Sequence, residues 1–447
     1  MYIQIKQTFL LVFIILVSCT PSEETGLTEI TKWPDDKTGA VTLTYDDSTI
    51  NHFRVAIPLM NELELPGTFY LITGSIPGSE YEGEFVGRDV EEIIAETADE
   101  STNEENFFER ASAIRYLGYR DVHQYHREAG SNFERGNIEE AYAAIDEGYE
   151  RARNGEFEEG EAIEQYLYNV LFVEPGTELI TWEELQEAHR DGFHEFGSHT
   201  VTHPYLAVMD EANILYELEK SREDLERYLG EDHFFSVEGP FGTEDERVMP
   251  YLFETYPAAR NRMPEPFLEE LNRGSGDNPA AFDAEYVQWQ RGPLEETPMD
   301  LMKSWVDTVA ENDNIWLVLV FHGVEGVGWE PKPEEELEEY FRYIKEHEDD
   351  LWIATFKDAT KYIRQRMNTT VESSREDGRI LVSLTHSLGE LYDLPLTLKT
   401  ALPPDWGSVS VTQSGEEIDS EIYTTGDDTY VLYQAVPNRE QVEIVFL

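Results

Sequence analysis

A single cysteine, Cys19, occurs in the 447 residues, so no disulfide can close within the chain. Basic residues are scarce as well: 33 Lys and Arg stand against 93 Asp and Glu, a formal net charge of -60. A field of that sign repels phosphate backbones and anionic head-groups, which excludes nucleic acid and anionic lipid surfaces as partners. The same repulsion opposes any strongly anionic partner. Most of these carboxylates read as a solvated surface, and the excess of arginine over lysine points to a marine or halophilic source, where salt screens self-repulsion. A long apolar run is missing too. Phe9 to Val17 follows Lys6 and is too short to cross a bilayer comfortably, but it has the shape of a signal-peptide core over residues 1–18.

Leu16-Val17-Ser18-Cys19 resembles a lipobox, which accounts for the lone cysteine as a lipid-attachment site at the mature N-terminus. The competing reading is a chance cysteine behind a plain secretory signal. An acidic tether over 19–37 follows, and its Thr20-Pro21-Ser22-Glu23-Glu24 resembles the export signals of surface lipoproteins in some Gram-negative bacteria. The expectation is an exported bacterial lipoprotein of the cell envelope, on the outer membrane or cell surface or on the periplasmic face, touching membrane through its N-terminal lipid only.

What the chain does contain is a pair of distant segments with metal-ligand chemistry. In Gly197-Ser198-His199-Thr200-Val201-Thr202-His203-Pro204, two histidines four positions apart precede a helix-averse proline. That spacing puts both imidazoles on one side of a single turn, where neutral nitrogens can converge on one cation. In Thr44-Tyr45-Asp46-Asp47, Asp47 can supply a third, carboxylate ligand and leave Asp46 free as a base beside the metal. Taken singly, each piece has a bland explanation: chance spacing for the histidines, a turn or cap for the aspartates. Context favours the chemical reading. Ala40 to Tyr45 is a β-branched, alternating strand that delivers both aspartates at its C-terminal end. Gly192 to Gly197 is a second short strand ending just before the histidines. In open α/β sheets the C-terminal strand edge is where ligands bind.

These segments, with Leu319-Val320-Phe321-His322 further on, resemble the motifs of the polysaccharide deacetylases with a NodB-homology domain, carbohydrate esterase family four. The order of the motifs and the approach through Thr181-Trp182-Glu183-Glu184-Leu185 match as well, over about residues 38–367. The resemblance implies a distorted (β/α) barrel. It also implies hydrolysis of an acetyl group, with a divalent metal, zinc by preference, on Asp47, His199 and His203. Asp46 would then be the base and His322 the general acid. One departure is plain: Glu238, in Glu238-Gly239-Pro240-Phe241-Gly242, sits where the family's third motif has an arginine that braces the catalytic aspartate. Arg260, after a strand near Pro257-Ala258-Ala259, is the first candidate replacement and Arg291 the second. Phe241 keeps the motif's aromatic, with its backbone N–H available to a developing oxyanion. The fourth motif has only Asp283 and Trp289 as candidates, and Trp289 also reads as ordinary core.

Around this α/β domain, 38–367, two further parts are expected. Residues 83–178 form an inserted set of about four acidic helices, which either wall the cleft or merely lie beside the core. His123 and His126 within it have helical spacing but no acidic or cysteine partners for a second metal. From 368 to 447, short alternating segments with Asp377-Gly378 and Ser414-Gly415 turns predict a small all-β sandwich. The function expected is removal of acetyl groups, N-acetyl foremost, from a polysaccharide or oligosaccharide. The rivals are a catalytically idle glycan-binding lipoprotein, a metal-dependent amidase or O-acetyl esterase on another substrate, and a purely structural envelope protein. Oligomeric state is not legible.

Overall fold

The computed structural model describes residues 25–160, 162–189, 192–230, 234–243, 245–426 and 428–447. The signal-like segment with Cys19 lies outside the described residues, as do Asp191 and His233. The chain forms two units, Lys32–Met367 and Asn368–Leu447, the second also taking in the chain up to Thr31. Among the described residues no helix is long and apolar enough to cross a membrane.

In the larger unit nine strands make one parallel sheet: β1 (Gly39–Tyr45), β2 (Thr68–Leu71), β3 (Glu195–Ser198), β4 (Ser236–Val237), β5 (Ala258–Ala259), β6 (Leu268–Leu271), β7 (Tyr286–Arg291), β8 (Ile315–Phe321) and β9 (Leu351–Ile353). The spatial order is β5-β4-β3-β2-β1-β8-β7-β6. β9 lies along the first half of β1, from Gly39 to Val41, while β2 takes over at Thr44 and Tyr45. Changing partners along one strand curls the sheet into an incomplete (β/α) barrel. Among the described residues no ladder joins β5 to β6. Instead Gln288 and Gln290 of β7 reach across and donate to the Arg260 carbonyl just past β5, at 2.7 and 3.0 Å.

The two central strands, β1 and β8, are buried along their whole length, as their near-continuous apolar sequences require. On β1 the alternation assigns the two faces. Val41, Leu43 and Tyr45 join the apolar cluster outside the barrel. Thr42 and Thr44 face the interior, where Thr42 accepts from the Trp316 indole at 2.9 Å. Asp46 is next in that inward series. Because every strand is parallel, the residues that follow β1, β3, β4, β5 and β8 are gathered at one rim. The helix Trp182–His189 that leads into β3 begins with a capping box, in which the Thr181 amide donates to Glu184 at 3.1 Å and the Glu184 amide to Thr181 Oγ1 at 3.3 Å.

The insertion holds five α-helices among its described residues, where four were expected: Val90–Glu96, Phe107–Ala113, His123–Glu134, Ile138–Arg153 and Ala162–Val170. The stretch from Glu105 to Arg127, helical in pattern throughout, is split between the second and third of these. Gly118 at φ 71° and Asp121 at φ 61° turn the chain between the second and third helices. The first four helices share an apolar core around Phe107, Ile114, Tyr125, Ile145 and Tyr149, into which Val208 also reaches from the loop after β3, whereas the fifth packs Leu167 against Ile72 and Leu171.

The smaller unit has two antiparallel sheets. One orders Thr370–Glu376, Arg379–Thr385, Val442–Phe446, Val409–Gln413 and Glu416–Ile418. The other orders Thr28–Ile30, Leu396–Leu402, Asp428–Ala435 and Ser420–Thr425. Both anticipated turns are tight hairpins with two left-handed residues, Asp377-Gly378 (φ 48° and 81°) and Ser414-Gly415 (φ 53° and 80°). Thr28–Ile30 lies within the segment expected as tether, yet it pairs with Leu398–Thr400 as an edge strand. Its Thr28 and Ile30 are buried, which gives that edge an apolar reason to fold.

Candidate metal centre and catalytic cleft

The chain leaves β1 through two left-handed residues, Asp47 at φ 72° and Ser48 at φ 48°. Non-glycine residues seldom adopt that region, and the turn is tied by the Asp46 amide to the Phe321 carbonyl (3.0 Å) and by the Ser48 hydroxyl, which accepts from the Ile72 amide (3.2 Å). The Asp47 carboxylate meets the His199 and His203 Nε2 atoms at 3.5 and 3.3 Å. The donor atoms of these three buried residues all lie within 4.8 Å of one another.

The histidines do not share a helical turn, as their spacing had implied. They come together across an irregular loop in which Thr200 (φ 68°) and His203 (φ 52°) are both left-handed. A β-branched residue in that region is strained, and the surroundings hold it. The Thr200 amide donates to Ser198 Oγ (3.0 Å), its carbonyl accepts from the Thr73 amide (3.1 Å), and its hydroxyl accepts from the His203 amide (3.0 Å). His199 Nδ1 lies 2.8 Å from the Glu238 carbonyl. A carbonyl only accepts, so Nδ1 carries the proton and Nε2 presents its lone pair. One carboxylate oxygen and two imidazole nitrogens, buried and convergent, suit a divalent cation such as zinc with positions left open.

Much of the hold on this loop comes from the insertion. Arg115 is fully buried with Glu217, 3.2 Å away, and donates to the Thr202 carbonyl (2.9 Å) and hydroxyl (2.7 Å). Glu217 accepts in turn from the Thr202 amide at 2.7 Å. The Tyr166 hydroxyl donates to the His203 carbonyl at 2.6 Å. Further along, the Tyr205 amide donates to His126 Nε2 at 3.0 Å, while His126 Nδ1 bonds the Ala111 carbonyl at 2.7 Å. Tyr205 also presses on Gly130, where an added Cβ would sit 2.3 Å from the ring. His126 is therefore a satisfied core residue, and His123 stacks on Tyr166 at 4.3 Å. Among the described residues Asp47, His199 and His203 form the one cluster able to hold a metal.

Asp46 is braced from behind. Arg260 reaches both its carboxylate oxygens, at 2.7 and 2.8 Å, donates to Thr44 Oγ1 at 2.8 Å, and pairs with Glu238 at 2.9 Å. Burial pushes the Asp46 carboxyl up, but the Arg260 charge and hydrogen bonds, with His322 and His199 adding, hold it below the ordinary range. Burial pushes Glu238 up, Arg260 opposes this, and the nearby Asp46 charge adds to the rise. His322 Nε2 stands 3.5 Å from Asp46 and 3.5 Å from Arg273 Nη1. Its ring meets Trp329 edge-on at 4.7 Å, and its carbonyl is engaged by His52. Burial lowers His322 to about 4, with Asp46 and Asp47 opposing and the two arginines reinforcing the shift.

These groups open into a cleft of about 380 Å³. Tyr205 and Phe241 form one wall, stacked with ring centres 3.8 Å apart, and the Phe241 and His203 rings meet T-shaped with centres 4.7 Å apart. Arg273 and Trp329 line it beside His322, and Arg127, Tyr166, Asn169 and Phe172 enter from the insertion. Asp46, Asp47, His199, His203, His322 and Phe241 thus meet at one site, and Arg260 sits beneath it, fully buried and out of the cleft lining. Other candidates lie elsewhere. Asp283 is exposed, Trp289 belongs to the apolar core, and Arg291 stacks on Trp289 at 4.6 Å. Arg273, Trp329, Arg115, Glu217 and His52 were missed. Two signals were available: the Gly/Ser-rich loop around Arg273, and the glycines between His322 and Trp329, both of which follow strands at the ligand-binding rim.

Residues 151–254 match the family model for polysaccharide deacetylase. The match takes in His199, His203, Glu238 and Phe241 but less than half of the chain, and the fold brings Asp46, Asp47, Arg260 and His322 to it. The stretch that carries His199 and His203 is thus similar to polysaccharide deacetylases. A gellan lyase from a Bacillus species is 26% identical over 274 residues, 56% of this chain but only 11% of that protein, so the chain spans about a tenth of this curated relative. A Mycobacterium smegmatis structure described as a polysaccharide deacetylase aligns over 78% of this chain and 98% of its own, at 15% identity and a TM-score of 0.39. A family 4 carbohydrate esterase from Bacillus anthracis aligns over 76% and 98%, at 11% identity and a TM-score of 0.32.

Proposed function

We propose that the protein is a metal-dependent hydrolase that removes acetyl groups, N-acetyl foremost, from a polysaccharide or oligosaccharide. The observation that carries this reading is a second aspartate, braced by Arg260, beside a separate Asp-His-His donor set. A divalent cation on Asp47, His199 and His203, zinc by preference, would lower the pKa of a water it binds and polarise the acetyl carbonyl. Asp46, held ionised by Arg260, would take the proton from the attacking water. The 3.5 Å contact between Asp46 and His322 gives the proton a route onto the neutral imidazole, and from there to the departing amine or alcohol. Trp329 packs against the ring edge and His52 fixes the backbone, so His322 keeps its aim. Phe241 and Tyr205 supply an apolar wall against which a sugar face can lie, and the Phe241 amide is the candidate donor to the oxyanion.

The polysaccharide deacetylase match and the gellan lyase relative both support a polysaccharide as the substrate class. The main argument for an idle glycan-binding protein was the lack of an arginine at position 238, and Arg260 beneath Asp46 meets it. The lipobox-like Leu16-Val17-Ser18-Cys19 supports placement at a bacterial envelope through an N-terminal lipid. The test is acetate release from acetylated oligosaccharides by metal-loaded protein and by Asp46→Asn. The variant should keep stoichiometric metal and lose about 100-fold or more in rate. Full activity in Asp46→Asn, or no acetate from N- or O-acetylated glycans with metal bound, ends the proposal.

A further inference from the structure

We propose that the inserted helices build a second sugar subsite, beside the catalytic cleft, for a carboxylate-bearing unit of the glycan, with Arg127 as its recognition group. This rests on the deacetylase reading of the adjoining site. A pocket of about 230 Å³ lies against the cleft and is lined by Asp121, His123, Gln124, Arg127, Gln165, Tyr166 and Asn169. Arg127, Tyr166 and Asn169 line both spaces, so a chain seated in one continues into the other.

Arg127 is exposed and makes no hydrogen bond or ion pair among the described residues. Acids outnumber bases 93 to 33, and several exposed arginines are taken up by them, Arg54 by Glu178 and Glu184, Arg88 by Glu96 and Glu109, Arg342 by Glu338; Arg135 and Arg439 are exposed and without an ion pair as well, but Arg127 alone of the three lines a pocket. Asp121 shares the pocket but does not pair with it. An arginine kept free of carboxylates on so acidic a chain has its fork available for a carboxylate that arrives with the ligand. The remaining lining, two glutamines, an asparagine, an aspartate, a histidine and a tyrosine ring, suits sugar hydroxyls, and the Gln165 Oε1 atom is buried without a hydrogen-bond partner. The overall charge disfavours an anionic glycan at long range; Arg127 reverses that preference at one point, over the few ångströms where contact outweighs a screened field.

The experiment compares kcat/KM for acetate release from two acetylated oligosaccharides, one with a uronate beside the acetylated sugar and one with the matching neutral hexose. Wild-type protein should favour the uronate, and Arg127→Gln should cut the ratio about tenfold, chiefly through KM. Arg127→Lys should restore part of it. Arg135→Gln, at the end of the same helix and outside both pockets, should leave the ratio intact. Binding of a deacetylated uronate oligosaccharide to metal-free protein, followed by calorimetry, should weaken in Arg127→Gln. If deacetylation proceeds but the ratio is the same in wild type and Arg127→Gln, or if Arg135→Gln lowers it equally, the subsite is refuted while the catalytic reading stands. An equal, Arg127-dependent gain with a sulfated neutral sugar refutes the carboxylate assignment. Arg127-dependent binding without acetate release from any substrate keeps the subsite and refutes the catalytic reading.

Discussion

Replacing Arg115 by methionine separates an insertion that shapes the metal site from one that merely covers it. Arg115 and Glu217 are both fully buried, and between them they hold the amide, carbonyl and hydroxyl of Thr202, the residue next to His203. Methionine fills most of the aliphatic volume but removes the cation and its donors. Glu217 is then left buried with the Thr202 contacts alone. Breaking a buried pair from one side costs about 3–5 kcal/mol, which includes the lost hydrogen bonds. The damage is local: Thr200 and His203 are held left-handed by this framework, and the loop can relax towards commoner angles once it loosens. Metal affinity, measured by competition with a chromophoric chelator, should therefore fall about 10–100-fold, the range seen when a ligand's support is removed. Arg115→Met with Glu217→Leu removes both charges and should recover most of the stability, yet it cannot rebuild the ties to Thr202, so affinity should stay low. A folded Arg115→Met protein with wild-type metal affinity would refute the reasoning.

Two further outcomes are expected. In Arg260→Gln, Asp46 loses the charge that offsets its burial, so its carboxyl rises and the acid limb of kcat/KM should move to higher pH; a limb at the wild-type position would show that another group sets it. Away from the site, burial pushes Asp224 up to about 6 against an ordinary 3.8, despite the Glu80 and Tyr81 amides. A folded-state pKa above the unfolded one means that the folded protein binds the extra proton, so stability falls as pH rises between those values and is level above them. Asp224→Asn keeps an acceptor for one of those amides and should flatten that stretch of the Tm-against-pH curve; an unchanged slope assigns it to other carboxylates.

The strands that carry the ligands were legible because they are apolar and central. β1 and β8 are buried on both faces and show it as continuous β-branched and aromatic sequence, so the positions just past them, Asp46, Asp47 and His322, could be read as one edge. The short strand before Arg260 is only Ala258–Ala259, yet Pro257 and the two alanines marked it, and Arg260 is where a brace for Asp46 would have to be. β6 and β7 were not read. β6 is Leu-Glu-Glu-Leu with one buried residue, and β7 alternates Gln288 and Gln290 inward to a polar barrel interior, so neither carries an apolar signature. Thr370–Glu376 was missed for the same reason: it is a polar strand held by its hairpin with Arg379–Thr385, its side chains largely outward. The two-histidine loop was right in its contacts and wrong in its shape. A spacing of four suits a helical turn, but it equally suits a loop whose left-handed residues are imposed from elsewhere, by Arg115, Glu217 and Tyr166, at distances along the chain that no local pattern records.

Glu238 and Arg260 show why a motif position and a site requirement can part company. β4 and β5 are paired in register, Val237 opposite Ala259, so the next residues on each, Glu238 and Arg260, emerge side by side at the rim. What Asp46 requires is a guanidinium within bidentate reach, and either strand end can provide one. With arginine on β5, the position on β4 faces that guanidinium, and a glutamate there takes its second nitrogen at 2.9 Å. The exchange has a cost that a single arginine at 238 would not incur, because two buried carboxylates now share one cation, and each raises the other's affinity for protons. Glu238 is also tied to the metal site, since its carbonyl fixes the His199 ring. Glu238→Gln, which keeps that carbonyl and relieves the repulsion, should therefore leave Asp46 more firmly ionised, whereas Glu238→Arg would set two guanidiniums against each other beneath the one aspartate.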